Sequence, residues 1–308
     1  MEKYQLQNGF ELPIIQGFRE QVKNNWRKAY KNFEYQPVEK DKVNKLKQDI
    51  NHAASYLSKM GVSLQGKRIM DVGCYLGIQC FGAIEHGATS ALGIDIPEYY
   101  INSSLDKDIN ASKILEERRN DIRKHHPHLD QSKITFQDTS VFEMDFEDEF
   151  DIIFSWETFE HIINPKEALK RIYKALKPGG ISYNAYNPFF CLSGGHSMCT
   201  LDFPFSHILL SNEEFKRYVE EVIPQNAPNN YSELSYEFFT KSLNRMTQYD
   251  LRKYIDEGGF KLLDFTSIPD MNMMNIIDPS ILGIARELHP TLTLNDLLCS
   301  TVYFTIQK

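Results

Sequence analysis

Cysteine is scarce in this chain. The five present, Cys74, Cys80, Cys191, Cys199 and Cys299, are odd in number and never fall in CxxC spacing. That argues against a disulfide framework and a cysteine-built zinc cage, and leaves buried free thiols as the reading. No apolar run approaches the roughly 18 residues of a membrane-spanning helix. The start MEKYQLQNGFELPIIQGF lacks a basic opening followed by an apolar stretch, so no membrane span and a cytoplasmic location are expected. Positive charge is in deficit too: 34 Lys and Arg against 42 Asp and Glu give a formal net charge of -8. A dedicated nucleic-acid binder is therefore not expected, because phosphate contact needs clustered cations. Internal repeats and low-complexity tracts are absent. What remains is a globular composition, 42% hydrophobic and 25% charged, in a chain of 308 residues that can bury a substantial core.

Residues 1–66 read as a helical N-terminal extension. Within it DKVNKLKQDINHAASYLSKMG places Val43, Leu46, Ile50, Ala53, Ala54 and Leu57 at near-helical spacing before Gly61. From Lys67 short apolar runs (KRIMDV, SALGIDI, KITFQDT, FDIIFSW) alternate with helix-like stretches (FGAIEHG, DKDINASKILEERRNDIRKHH, PKEALKRIYKALK), and LKPGG turns into a fifth strand, ISYNAYN. Such alternation predicts an α/β fold, a parallel sheet covered by helices on both faces. Residues 67–187 form this core. Residues 188–246, with paired glycines, prolines and many aromatics, read as an inserted lid or substrate region. Residues 247–308 resume the core with a helix and two strands, FKLLDFTSI and STVYFTIQK, separated by an insertion near 269–297.

The chemistry concentrates at IMDVGCYLG. Gly73 and Gly77 follow the first core strand, and Asp95 ends GIDI about twenty residues later, the layout of a nucleoside site: backbone that can approach the ligand, and an acid for ribose hydroxyls. A dinucleotide dehydrogenase would carry GxGxxG, whereas GCYLGI keeps one of the three glycines. Asp71 just before the turn suits a cofactor with an ammonium and a sulfonium better than one with a pyrophosphate.

With DVGCYLG, GIDI, FQDTS, FDIIFSWETFEHI and LKPGG in that order, residues 67–187 and the last two strands resemble the class I S-adenosylmethionine-dependent methyltransferases, with a UbiE-like, type-11-like core. The resemblance implies a Rossmann-like, seven-stranded, mostly parallel sheet in three α/β/α layers, and S-adenosyl-L-methionine as cofactor. It implies that Asp71, Gly73, Cys74, Tyr75 and Gly77 shape the methionine end. Asp95 would bind the ribose and Ile96 would pack on adenine. Asp138 and Thr139 would meet the adenine edge, and Trp156 and Glu157 would floor the pocket. Tyr75 departs from the pattern, which most often has glycine there, and its ring is expected to border the methionine end.

His161, in WETFEHI, and the lid histidines His196 and His207 are the candidates for a general base, since a near-neutral imidazole can take a proton from a substrate hydroxyl. They favour O-methylation of a small or polar molecule such as a sugar, a surface-glycan unit or a secondary metabolite. N-methylation and a non-catalytic binding module are the alternatives. No metal set is assigned, although the lid histidines could alternatively hold a metal that acidifies such a hydroxyl. HHPH at 125–128 reads as a solvated helix end. MNMMNII at 271–277 reads as packing rather than pocket. Tyr4, Phe10, Phe18, Trp26, Tyr30 and Tyr35 are candidates to cover the cofactor mouth. A homo-oligomer is left open.

Overall fold

In the computed structural model, which describes residues 2–22, 34–100, 108–223, 231–270, 273 and 276–308, each apolar run after Lys67 becomes a strand. A hairpin of β1 (Lys3–Gln5) and β2 (Glu11–Pro13) comes first, followed by β3 (Arg68–Val72), β4 (Ser90–Asp95), β5 (Ile134–Asp138), β6 (Phe150–Trp156), β7 (Leu176–Tyr186), β8 (Lys261–Pro269) and β9 (Cys299–Gln307). The last seven form one sheet in the order β5-β4-β3-β6-β7-β9-β8. Its first five strands are mutually parallel, and β9 runs antiparallel to both β7 and β8. This is the expected α/β Rossmann-like sheet. The order reverses direction at β3, which opens a crevice at the carboxyl ends of β3, β4 and β6, where ligands of such sheets sit.

Thirteen α-helices connect and cover these strands among the described residues. Those used below are α1 (Phe18–Val22), α2 (Lys40–Leu46), α3 (Gln48–Lys59), α4 (Ile78–Glu85), α5 (Ala111–His125), α6 (Pro165–Ala175), α7 (His196–Cys199), α8 (Ser206–Leu209), α9 (Asn212–Glu221), α10 (Tyr231–Lys241), α11 (Gln248–Glu257), α12 (Pro279–Leu288) and α13 (Leu294–Leu298). Local signals set several ends. Asn164 caps α6 by accepting from the Glu167 N–H at 3.1 Å, with Pro165 in the first turn where no N–H is needed. Thr247 and Asp250 close a reciprocal capping box on α11. Helix α5 starts at Ala111, where Asn110 accepts from the Lys113 N–H, and not yet at Asp108. LKPGG ends α6 as expected, but Leu176 already pairs with Phe150. The next pair is Ile152 with Ile181, so the turn is a bulge inside β7, with Gly179 at φ +78.

The N-terminal 66 residues divide in two. Helices α2 and α3 pack on the sheet layer through Val43, Ile50, Ala53 and Leu57. The hairpin and α1 leave the core altogether: Tyr4, Leu6, Leu12 and Phe18 are buried in one apolar cluster with Phe189, Phe203, Phe215 and Tyr218 of the inserted region and with Ala285 and Leu297 of the second insertion. An ion pair between Arg19 and Asp202, 2.6 Å and nearly dry, ties the N-terminal segment to the first insertion within this cap. The uniformly helical extension is thus corrected. Asn8-Gly9 in KYQLQNGFELP is a hairpin signal, and Gly9 takes φ +86. All five cysteines are buried, and none is in a disulfide.

Candidate functional site

The turn after β3 is built around two left-handed glycines. A Cβ on Gly73 (φ +76) would stand 2.1 Å from Thr158 Oγ1, and one on Gly77 (φ +71) would stand 2.1 Å from the Phe136 ring. Tyr75 between them also has positive φ, +43, a strained setting for a tyrosine. It is held there from several sides. Its N–H donates to Asp95 Oδ2, and its carbonyl accepts from Arg119 Nε and Nη2 at 3.1 and 2.8 Å. Its hydroxyl accepts from Arg118 Nη1 at 2.7 Å, and its ring lies 4.7 Å from that of Tyr100. Hydrogen bonds to a charged donor are worth about 1.5–3 kcal/mol each, so two arginines of α5 offset the strain. Tyr75 lines the crevice and, half-buried, also packs against the apolar cluster that contains Leu76, Ile78 and Phe81.

A cavity of about 850 Å³ opens there. Gly73, Tyr75, Asp95, Ile96, Thr139, Trp156, Glu157 and His161 all line it, eight residues assigned from the sequence that the fold brings to one wall. Asp95 is 7% exposed, and its carboxylate accepts from the Tyr75 and Ile96 N–H groups and from the Tyr100 hydroxyl at 3.0 Å. Burial raises its pKa against these donors. Ile96 is 43% exposed, an apolar side chain presented to the cavity.

Other assigned residues stand off the cavity wall. Asp71 is 2% exposed behind the turn, with Oδ2 lacking a hydrogen-bond partner. Burial, then the nearby Asp95 charge, push its carboxyl up to about 8 against the pull of Arg119. Cys74 is buried against Arg119, its thiol raised by burial. Gly77 serves the turn and its packing against Phe136. Asp138 lies opposite Asp95 in the β4–β5 register but faces a smaller neighbouring pocket with Arg119, whose Nη1 is 3.8 Å away.

The histidines separate clearly. His161 Nδ1 lies 2.7 Å from the Ser242 carbonyl and 2.9 Å from the Tyr99 hydroxyl. A carbonyl only accepts, so Nδ1 carries the proton and Nε2 keeps its lone pair. Burial lowers the His161 pKa, favouring the neutral ring. The His196 ring lies 5.0 Å from it, tilted by 38°, brought in by α7 of the cap. Glu160 joins them: it is 1% exposed, accepts from the Asn187 N–H at 3.2 Å through Oε1, and is pushed up to about 8 by burial. His207 is elsewhere. It is 1% exposed inside the cap core, gives its Nε2 proton to the Phe189 carbonyl at 2.7 Å, and is pushed down to about 4 by burial. The base role expected of it has no substrate space to act in, because ring burial, not a cavity, explains its surroundings.

Several wall residues carried no sequence signal. Tyr99 and Tyr100 follow Asp95 in a single 3-10 turn, Pro97–Tyr100, and reach His161 and Asp95 respectively. Met198, Leu234, Phe238 and Lys241 come from the cap. Of the N-terminal aromatics among the described residues, none lines the cavity: Tyr4 and Phe18 are in the cap core, Phe10 is exposed, and Tyr35 bonds Asp121; Trp26 and Tyr30 lie outside the described residues. Of MNMMNII, Met273 is buried in the cap cluster; Met271, Asn272, Met274 and Asn275 lie outside the described residues. HHPH is a helix end but not a solvated one throughout: His128 is exposed near Glu85 and His125 bonds the Val38 carbonyl, whereas His126 is buried, stacked on Phe81 with Nδ1 on the Ile122 carbonyl, because the apolar layer under α5 closes over it.

Comparison with known proteins agrees with this geometry. The chain is 25% identical over 225 residues to a ubiquinone biosynthesis O-methyltransferase of Coxiella burnetii, covering 71% of this chain and 74% of that one. It is 29% identical over 135 residues to the Pasteurella multocida protein of the same name, 42% of this chain and 50% of that one. The fold superimposes on a Galdieria sulphuraria structure provisionally assigned as a sarcosine dimethylglycine methyltransferase, with TM-score 0.51 and 13% identity over 90% of this chain and 94% of that one. The family described as a methyltransferase domain matches residues 43–263, and the chain therefore belongs to the class I S-adenosylmethionine-dependent methyltransferases.

Proposed function

We propose that this enzyme moves a methyl group from S-adenosylmethionine to a hydroxyl of a small molecule. The observation that carries the reading is one cavity lined both by Asp95 and Ile96 and by His161, a neutral imidazole with a free Nε2 lone pair. The cofactor supplies an electrophilic sulfonium methyl. Asp95 would hold the ribose, Ile96 the adenine face, Thr139 the adenine edge, and the Gly73 turn with Tyr75 the methionine end. The unpartnered, buried Asp71 oxygen behind that turn fits a cationic ligand nearby. Alignment of donor and acceptor, with water excluded, accounts for much of the rate of such a displacement. A hydroxyl acceptor must also lose its proton, which a neutral amine need not do before attack. The O-methyltransferase name of the Coxiella relative supports the same reading.

The acceptor end favours a body less polar than the sugar expected from composition. Ile162, Ile163, Met198, Leu234 and Phe238 surround it, with Lys241 and Glu237 paired at 2.8 Å on the rim. The test is S-adenosylhomocysteine release with a panel of phenols, aliphatic alcohols, sugars and amines. Phenols or alcohols should turn over, and His161→Ala should lower kcat by about 100-fold or more. His207→Leu should cost about 1–3 kcal/mol of stability by orphaning the Phe189 carbonyl while leaving kcat of the folded enzyme unchanged. Turnover of amines alone, or full activity in His161→Ala, would sink the reading.

A further inference from the structure

We infer that Glu160, His161 and His196 form a binding site for one divalent transition-metal cation beside the acceptor end of the cavity. Its further role, binding and acidifying the acceptor hydroxyl in place of proton transfer to the His161 Nε2 that the cation would occupy, rests on the O-methylation proposed above; the site itself does not.

Each of the three residues offers one donor atom, and the three atoms lie within 4.8 Å of one another. A cation about 2.1 Å from each donor needs donor separations of about 3 to 3.5 Å. Small rotamer movements inward therefore suffice. Glu160 supplies an independent sign of a missing partner. Oε1 is held by the Asn187 N–H at 3.2 Å, while Oε2 is buried with no hydrogen bond among the described residues. A buried carboxyl oxygen without a partner is costly and rare, and a cation at this point is the group that would satisfy it.

His161 is prepared as a ligand. The Ser242 carbonyl, 2.7 Å from Nδ1, fixes the tautomer and the ring orientation and leaves Nε2 to bind, as outer partners do for metal-bound histidines. The third ligand comes from a distant part of the chain: Glu160 and His161 stand on the turn after β6, and His196 begins α7 of the cap. Cation binding would thus pin the cap to the core. Two imidazoles and one carboxylate suit zinc, manganese, iron or cobalt better than magnesium or calcium, which prefer all-oxygen shells. Three protein ligands leave a coordination position open, as catalytic sites do. An oxygen acid bound there loses its proton more readily.

The full chain, stripped with EDTA, is titrated with Zn²⁺ alone by calorimetry and with Co²⁺ alone by visible absorption. One ion per chain is expected, with Co²⁺ bands of low coordination number. Glu160→Gln and His196→Ala should each weaken binding more than about 100-fold, beyond the usual cost of losing an outer-shell partner, while both still bind S-adenosylhomocysteine as the unaltered chain does. If either variant loses S-adenosylhomocysteine binding, the unaltered chain decides: Zn²⁺ should shift the Nε2 signal of His161 and a ring-nitrogen signal of His196 in its ¹H–¹⁵N spectrum. No ion bound tighter than millimolar, unchanged affinity in folded variants, or shifts at other histidines would overturn the site. A chain that binds one ion but no S-adenosyl ligand would instead refute the proposed function and leave this site standing.

Discussion

Replacing Gly77 by alanine would impose two separate costs on the turn between β3 and α4. The residue has φ +71 and ψ 15, the left-handed region, where a Cβ costs about 1–2 kcal/mol. The same Cβ would fall 2.1 and 2.3 Å from two atoms of the Phe136 ring. That ring is not free to withdraw, because the Arg119 guanidinium covers it at 4.4 Å and Arg123 lies 5.7 Å away. Overpacking of this kind costs about 1–3 kcal/mol. Together the two terms predict a loss of about 2–5 kcal/mol and a fall in Tm of about 3–8 °C for a chain of this length. Urea denaturation followed by circular dichroism measures it, with a lowered midpoint at unchanged m. Phe136→Leu removes the clash but not the backbone cost. The double variant should therefore be more stable than the sum of the single effects by about 1–3 kcal/mol. A Gly77→Ala protein within 0.5 kcal/mol of the parent, or strict additivity with Phe136→Leu, would refute the argument.

Asp71→Asn tests the buried carboxyl behind the turn. Its folded pKa of about 8 lies above the ordinary 3.8, so the folded chain binds the extra proton and loses stability as pH rises between those values. The asparagine variant should gain on the parent across that window, by up to about 5 kcal/mol at pH 8, and parallel stability curves from pH 4 to 8 would contradict this. Tyr100→Phe removes the hydroxyl that occupies Asp95 Oδ2. Freed of that competitor, Asp95 should bind S-adenosylhomocysteine about 3- to 10-fold more tightly, the worth of one net hydrogen bond. Weaker binding by calorimetry would mean that the hydroxyl itself serves the cofactor.

What the sequence by itself determined is local in origin. Apolar runs of strand length, separated by helix-period stretches and punctuated by Gly73, Gly77 and the LKPGG turn, specify strands and helices through interactions within a few residues. A parallel sheet of that order must then bring the ends of β3 and β4, and with them Gly73 and Asp95, to one edge. Asp95, Ile96, Trp156 and His161 were legible for this reason. What only the tertiary structure decided involves side chains whose direction is set by partners far away in the chain. Arg118 and Arg119 of α5 turn Tyr75 toward the cavity, Arg119 draws Asp138 aside, and Tyr100 closes on Asp95. The cap is the largest such case. Its core joins Tyr4, Leu6, Leu12 and Phe18 to both insertions, and the Phe189 ring packed edge-on against His207 helps bury it while α7 delivers His196 to His161. Two histidines eleven residues apart in one aromatic, glycine-rich segment look alike in sequence. Dense packing gave one to the core and the other to the site.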